Sequence, residues 1–254
     1  MLAVYPIADQ LMATLWALLR VSGLVLMAPI LGAVFTPMRV RILVAAVLAV
    51  AMLPVIPTMP EFSPFSALGF LAVLRELSIG VALGFVLKLA VEAAVFAGQV
   101  VSMGMGLSFA TVVDPQAGSV PLLGRLYIIV ATLLLLAANA HLALIHLLAE
   151  SYRLLPLGEA GIAAGQARAV VDFAAVMFTG AMHLALPAVI AILMVNVAFG
   201  VISRAAPTLN LFAVGFPITL LLGMIVMVIS VRSHGAVWEA QFAAALNMLG
   251  RLLG

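Results

Sequence analysis

Glu76, Lys88 and Glu92 are charged residues inside one apolar stretch, Phe65 to Val101. At about 100° per residue a helix places the three within a roughly 160° arc. Ionisable groups in apolar helices mark ion and proton pathways, so one reading is a relay in an ion-coupled carrier. The other is structural: Lys88 and Glu92 are four apart, can pair, and would let a long helix pass through a polar layer. Arg20 is a further charge expected inside an apolar run. His146 and Glu150 are also four apart and could share a metal, but a polar helix end at a membrane interface explains them more simply. His141 and His146 would point about 140° apart on a helix and share no face. Asp9, Asp114 and Asp172 fall in unrelated segments, which gives a carboxylate dyad no local support. There is no G-x-x-x-x-G-K-[ST] phosphate loop and no G-x-S-x-G elbow. Gly104-Met105-Gly106 lacks the third glycine of a dinucleotide loop. The sequence therefore assigns no catalytic, cofactor-binding or metal residue and reads as a protein that is not an enzyme.

The elements that must position these charges are apolar throughout. Of 254 residues, 67% are hydrophobic and 8% charged, and the mean hydropathy is +1.35. A soluble domain runs at about 45–50% apolar and about 25% charged, so there is too little polar surface to face water all round. An ordinary soluble enzyme and a disordered chain are excluded. Eleven basic residues against nine acidic ones, a net charge of +2, make no phosphate-binding stripe. The absence of cysteine removes disulfides and thiolate chemistry. No basic leader precedes the first apolar run and Asp9 interrupts its approach, so residues 1–254 read as one polytopic unit with no cleaved signal.

The expected fold is all-α, because these apolar runs satisfy their own backbone as helices. They are Leu11–Phe35, Ile42–Ile56, Phe65–Val101, Leu126–Ala149, Phe173–Ser203 and Ala205–Val231. Pro54, Pro57, Pro60 and Pro64 end the second. The tail, about 232–254, reads as a short amphipathic helix with Trp238, Phe242 and Leu246 along one side. Gly80 and Gly84 form a small-xxx-small step that allows close helix approach.

Three features fit a simple bundle in lipid poorly. Arg39, Arg41, Arg125 and Arg204 in odd loops balance Arg153, Arg168, Arg232 and Arg251 in even ones, which leaves no positive-inside bias. Phe65–Val101 would make a helix of roughly 55 Å, well past a hydrocarbon core of about 30 Å. Pro29, Pro187 and Pro217 interrupt apolar runs. Helices packed mainly on other protein account for all three.

Gln99–Arg125 is the least regular stretch. Gly104 and Gly106 each cost about 1 kcal/mol in a helix interior, and Asp114-Pro115, Gly118 and Pro121 add turns. Ser102–Val113 is therefore expected as an irregular or mobile loop, either a plug or re-entrant segment buried in protein or a loose surface connection. The apolar side chains of Met103, Met105, Leu107 and Phe109 favour the plug over exposure to water.

Two stretches carry a resemblance to a known family. One is this loop, especially Gly106–Ala110 and Val113-Asp114-Pro115 with Gly118. The other is Ala185–Gly223, in which Asn196, Gly200, Arg204, Ala206-Pro207, Asn210 and Gly215-Phe216-Pro217 stand as in the family pattern. Arg20, Gly23, Pro29, Pro37 and Arg39 fit its opening segment. Through almost its whole length the chain resembles the FliR/SctT family, export-gate subunits of type III secretion, with the flagellar FliR branch preferred over the virulence branch. Thr208 departs from the glutamine usual after the proline.

The resemblance implies long kinked helical hairpins that assemble with FliP-like and FliQ-like subunits into a helical multi-subunit export gate, wrapped by an FlhB-type switch protein. It implies a place in the inner membrane at the flagellar basal body. Unfolded rod, hook and filament proteins would pass through the gate, and the loop at 102–121 would plug its lumen. Asn196 and Arg204 read as architecture, since a cation near the last carbonyls of a helix suits its dipole by about 0.3–1 kcal/mol.

Overall fold

The structure, a computed structural model, describes residues 7–33, 36–60, 62–63, 66–107, 122–158, 161–205 and 211–253. Among these the chain is helical, without a strand. Helix α1, Ile7–Met27, stops just before Pro29. Helix α2, Met38–Met52, starts after Pro37 and closes in a 3-10 turn, Leu53–Val55, at Pro54. Both limits follow from the missing proline N–H and the fixed proline φ.

Helix α3, Ala67–Gly104, has 38 residues and is the overlong element foreseen from Phe65–Val101. Ser66 caps it: the Gly69 N–H donates to the Ser66 hydroxyl at 3.0 Å, satisfying one of the free first-turn amides. The run Leu126–Ala149, expected as one uninterrupted stretch, is instead two helices. They are α4, Leu122–Ala137, and α5, Ala140–Leu154. Between them Asn139 adopts φ 54, a left-handed conformation that asparagine tolerates better than other residues with a Cβ. Helices α6, Ala164–Ala205, and α7, Leu211–Leu253, have 42 and 43 residues and run through Pro187 and Pro217. The tail at 232–254 is assigned continuously with α7 but is set off from Val214–Ser230 by a bend of 64° before His234. Trp238 and Phe242 are buried in it as foreseen, but Ala245 and Leu249 complete the stripe in place of Leu246.

Residues 1–254 group into two compact units, each drawn from distant stretches. The first comprises residues 1–89, 135–174 and 242–254. Its core holds Trp16, Leu24, Ile79, Leu83, Leu148 and Tyr152. Here α1 and α3 approach to backbone contact: a Cβ on Gly80 would run into the Arg20 carbonyl, and one on Gly84 would lie 2.6 Å from the Leu24 carbonyl. Gly23 on α1 is equally tight against the Leu77 carbonyl. Trp16 meets Phe62 edge to face at 5.9 Å. Gln166 ties the start of α6 to the end of α7, accepting the Ala163 N–H at 2.8 Å and donating to the Leu252 carbonyl at 2.8 Å.

The second unit comprises residues 90–134 and 175–241. Gly98 on α3 faces the backbone of Gly124 on α4, again too close for a side chain. Phe96 and Phe178 stack edge to face at 5.3 Å.

Burial is uneven among the apolar helices. The apolar stretch of α3 is 72% buried and that of α6 only 17%. Along α6, Leu193, Met194, Val197 and Val201 are each more than half exposed. Among the described residues four helices are long and apolar enough to cross a membrane, or six spans if each bent helix pair is counted as one. Contiguous apolar surface on this scale calls for lipid or protein cover.

Candidate functional site

The first unit contains a buried charged centre built from three helices and a turn. Arg20 on α1 and Glu76 on α3 are both fully buried and pair at 2.8 Å through Nε and Oε2. The Arg20 Nη1 donates to the Ser151 hydroxyl at 3.0 Å and Nη2 to the Leu155 carbonyl at 2.8 Å. Ser151 in turn donates to the Leu148 carbonyl. The guanidinium lies 4.4 Å from the centroid of the Tyr152 ring, and the Tyr152 hydroxyl donates to the Ala17 carbonyl at 2.9 Å. The second Glu76 oxygen accepts the Gly158 N–H at 3.1 Å. Gly158 has φ 79 and no room for a Cβ, with Phe62 and Pro60 in its place. Burial of an ion pair is tolerated when hydrogen bonds satisfy the remaining atoms, which this network does.

The sequence pointed to Arg20 and Glu76 singly but did not pair them, and it missed Ser151, Tyr152 and Gly158. The usable signal was an arginine alone in one apolar helix and a glutamate in another, each of which needs a partner when buried. The expected pairing of Lys88 with Glu92 is corrected. Among the described residues no ion pair joins them, and both are half-buried where Arg20 and Glu76 are fully enclosed. Glu76 is thereby removed from the relay arc, because its carboxylate is held by Arg20 and Gly158.

The second unit contains the entry to the expected plug. Irregularity does not begin at Ser102: α3 continues through Met103 and Gly104, and Gly104 faces Ile192. The helix stops in a Schellman cap. Gly106 takes φ 77, its N–H donates to the Met103 carbonyl at 3.0 Å, and the Leu107 N–H donates to the Ser102 carbonyl at 3.0 Å. One glycine therefore ends the helix, while the other packs within it. Met105 is buried and occupies the space that a side chain on Gly223 would fill, whereas Met103 is exposed. Phe109, Asp114 and Pro115 lie outside the described residues.

The family-like residues of the second stretch are spread along two helices. Asn196 is exposed on α6 and Arg204 is exposed in its last turn. Gly215 is buried beside the Phe199 ring, and Phe216 and Pro217 are exposed in the early turns of α7. Pro207 and Asn210 lie outside the described residues. His146 and Glu150 are exposed on α5, and Asp172 is exposed and near Arg168 at 3.9 Å. Among the described residues no three His, Asp or Glu side chains converge as a metal site would need.

The sequence pattern of the family described as bacterial export proteins, family 1, matches residues 11–245. The flagellar biosynthetic protein FliR of Escherichia coli (strain K12) is 36% identical over 239 residues, covering 94% of this chain and 91% of that protein. The protein of the same name from Pectobacterium carotovorum is 32% identical over the same shares. That of Caulobacter vibrioides is 28% identical over 232 residues, 90% of this chain and 92% of that protein.

Proposed function

This chain belongs to the bacterial export proteins, family 1, and from that premise we propose that it is a FliR-type subunit of the flagellar protein export gate. The observation that carries the proposal is the near end-to-end similarity to FliR proteins, joined to long apolar helices that the chain alone leaves uncovered. In this reading the exposed faces of α2, α6 and α7 are covered by FliP-like and FliQ-like subunits and by an FlhB-type protein in the inner membrane. Unfolded flagellar subunits pass through the resulting channel. The protein contributes walls and a seal to export and no catalysis of its own.

The ion-carrier reading loses its main support at Glu76. A relay carboxylate must exchange protons with a path, whereas this one is fully enclosed and bonded on both oxygens.

The gate reading predicts dependence on partners. Expressed alone, the chain should be scarce and polydisperse in detergent. Co-expressed with the FliP-like and FliQ-like proteins of its source, it should co-elute with them as one species, with yield raised at least severalfold. A monodisperse, heat-stable monomer whose yield ignores those partners would argue for a carrier working alone.

A further inference from the structure

A cavity of about 150 Å³ opens in the second unit between α4 and the later part of α7. Its walls are Leu126, Val130, Leu134, Met227 and Trp238. Tyr127 and His234, both more than nine-tenths buried, also line it, with their rings 5.7 Å apart. Among the described residues neither the Tyr127 hydroxyl nor the His234 Nε2 has a hydrogen-bond partner. Buried tyrosine hydroxyls and imidazole nitrogens are almost always satisfied, so two unsatisfied atoms at one cavity call for an explanation.

Their chemistry is complementary to one group. A neutral imidazole has one donor and one acceptor nitrogen, and in the tautomer with Nε2 unprotonated it presents an acceptor to the cavity. The Tyr127 O–H is a donor with no acceptor among the described residues. A hydroxyl bridges such a pair, accepting from the tyrosine and donating to the histidine. A cavity of about 150 Å³ with apolar walls takes a benzene-sized body. We infer that this cavity is a binding site for a small molecule with a single-ring apolar body and one hydroxyl, the phenol class, held by Tyr127 and His234. Nothing in the export reading requires it.

Gly235 provides a clean means of closing the site. It lines the cavity, and a Cβ added there meets nothing within 4 Å. Gly235→Leu should therefore fill the space without displacing a neighbour, and Tyr127→Phe should keep the ring while removing the donor.

The probe is 4-fluorophenol, followed by fluorine NMR with the full chain in detergent together with whatever subunits co-purify. Fluorobenzene at equal free concentration is the control. The parent should bind fluorophenol about tenfold more tightly than fluorobenzene, the worth of two modest hydrogen bonds. Tyr127→Phe should remove most of that preference while retaining the ring's binding, and Gly235→Leu should abolish saturable binding of both. Equal binding of the two probes by the parent, no saturable binding at all, or unchanged fluorophenol binding by Gly235→Leu in protein eluting like the parent would each overturn the assignment. If Gly235→Leu does not fold, the Tyr127→Phe comparison decides alone.

Discussion

Replacing Arg20 with leucine is expected to reduce the folded protein to a small fraction of its normal amount. The substitution leaves the Glu76 carboxylate enclosed with only the Gly158 N–H to bond. Breaking one side of a buried pair costs about 3–5 kcal/mol, and a domain has only about 5–15 kcal/mol in total. The Ser151 hydroxyl and the Leu155 carbonyl lose their partner at the same time. The double variant Arg20→Leu with Glu76→Leu should recover part of the loss, since no charge is then stranded. It should not recover all, because the Gly158 amide and the Leu155 carbonyl would remain unpaired, at about 1–3 kcal/mol each. Lys88→Met should cost far less, since Lys88 is half-buried and has no carboxylate in ion-pair reach among the described residues. The amount of monodisperse protein and its thermal midpoint in detergent measure all three. An Arg20→Leu variant as abundant and as stable as the parent would show that the centre is dispensable.

A second large effect is expected on membrane tightness. In the proposed gate the segment that follows the α3 cap closes the channel at rest, and Met105, locked over Gly223, fixes where it starts. A plug that opens to substrate must be held by only a few kcal/mol, or it would stay shut. The adaptable side chain of Met103, exposed at this point, suits a seal around an irregular opening. Deleting residues 108–113 leaves Met105, Gly106 and the cap in place, so assembly should persist. The deleted gate should leak small ions many times faster than the intact one, as read by the decay of an imposed pH gradient in membrane vesicles. Normal tightness in vesicles that contain the assembled, shortened gate would return the segment to a packing role.

Composition alone made the helical, membrane-type class legible, and the overlong α3 could be read from an unbroken run of apolar residues. Gly80 and Gly84 were readable as a close-packing step because spacing on one helix is local information. What could not be read was which distant elements meet. The Arg20–Glu76 pair is 56 positions apart and depends on α1 lying against α3, while its hydroxyl and carbonyl partners come from α5 and the turn after it. Lys88 and Glu92 suited a pairing rule that the helix surroundings did not honour. The break at Asn139 was hidden for a different reason: a single residue in a left-handed conformation interrupts an apolar run without changing its hydropathy. Gly104 and Gly106 looked alike in sequence, and only the backbone separates the one packed in the helix from the one that ends it.

Protein export itself is the most direct test of the central claim. Cells of the source bacterium that lack this chain, and the same cells with the full chain restored, can be compared for filament and hook protein in the culture medium. The account predicts that secreted subunits fall to background in the deletion while remaining present inside the cells, and return to parental levels on restoration. Undiminished secretion of those subunits in the absence of the chain would contradict its role in the export gate.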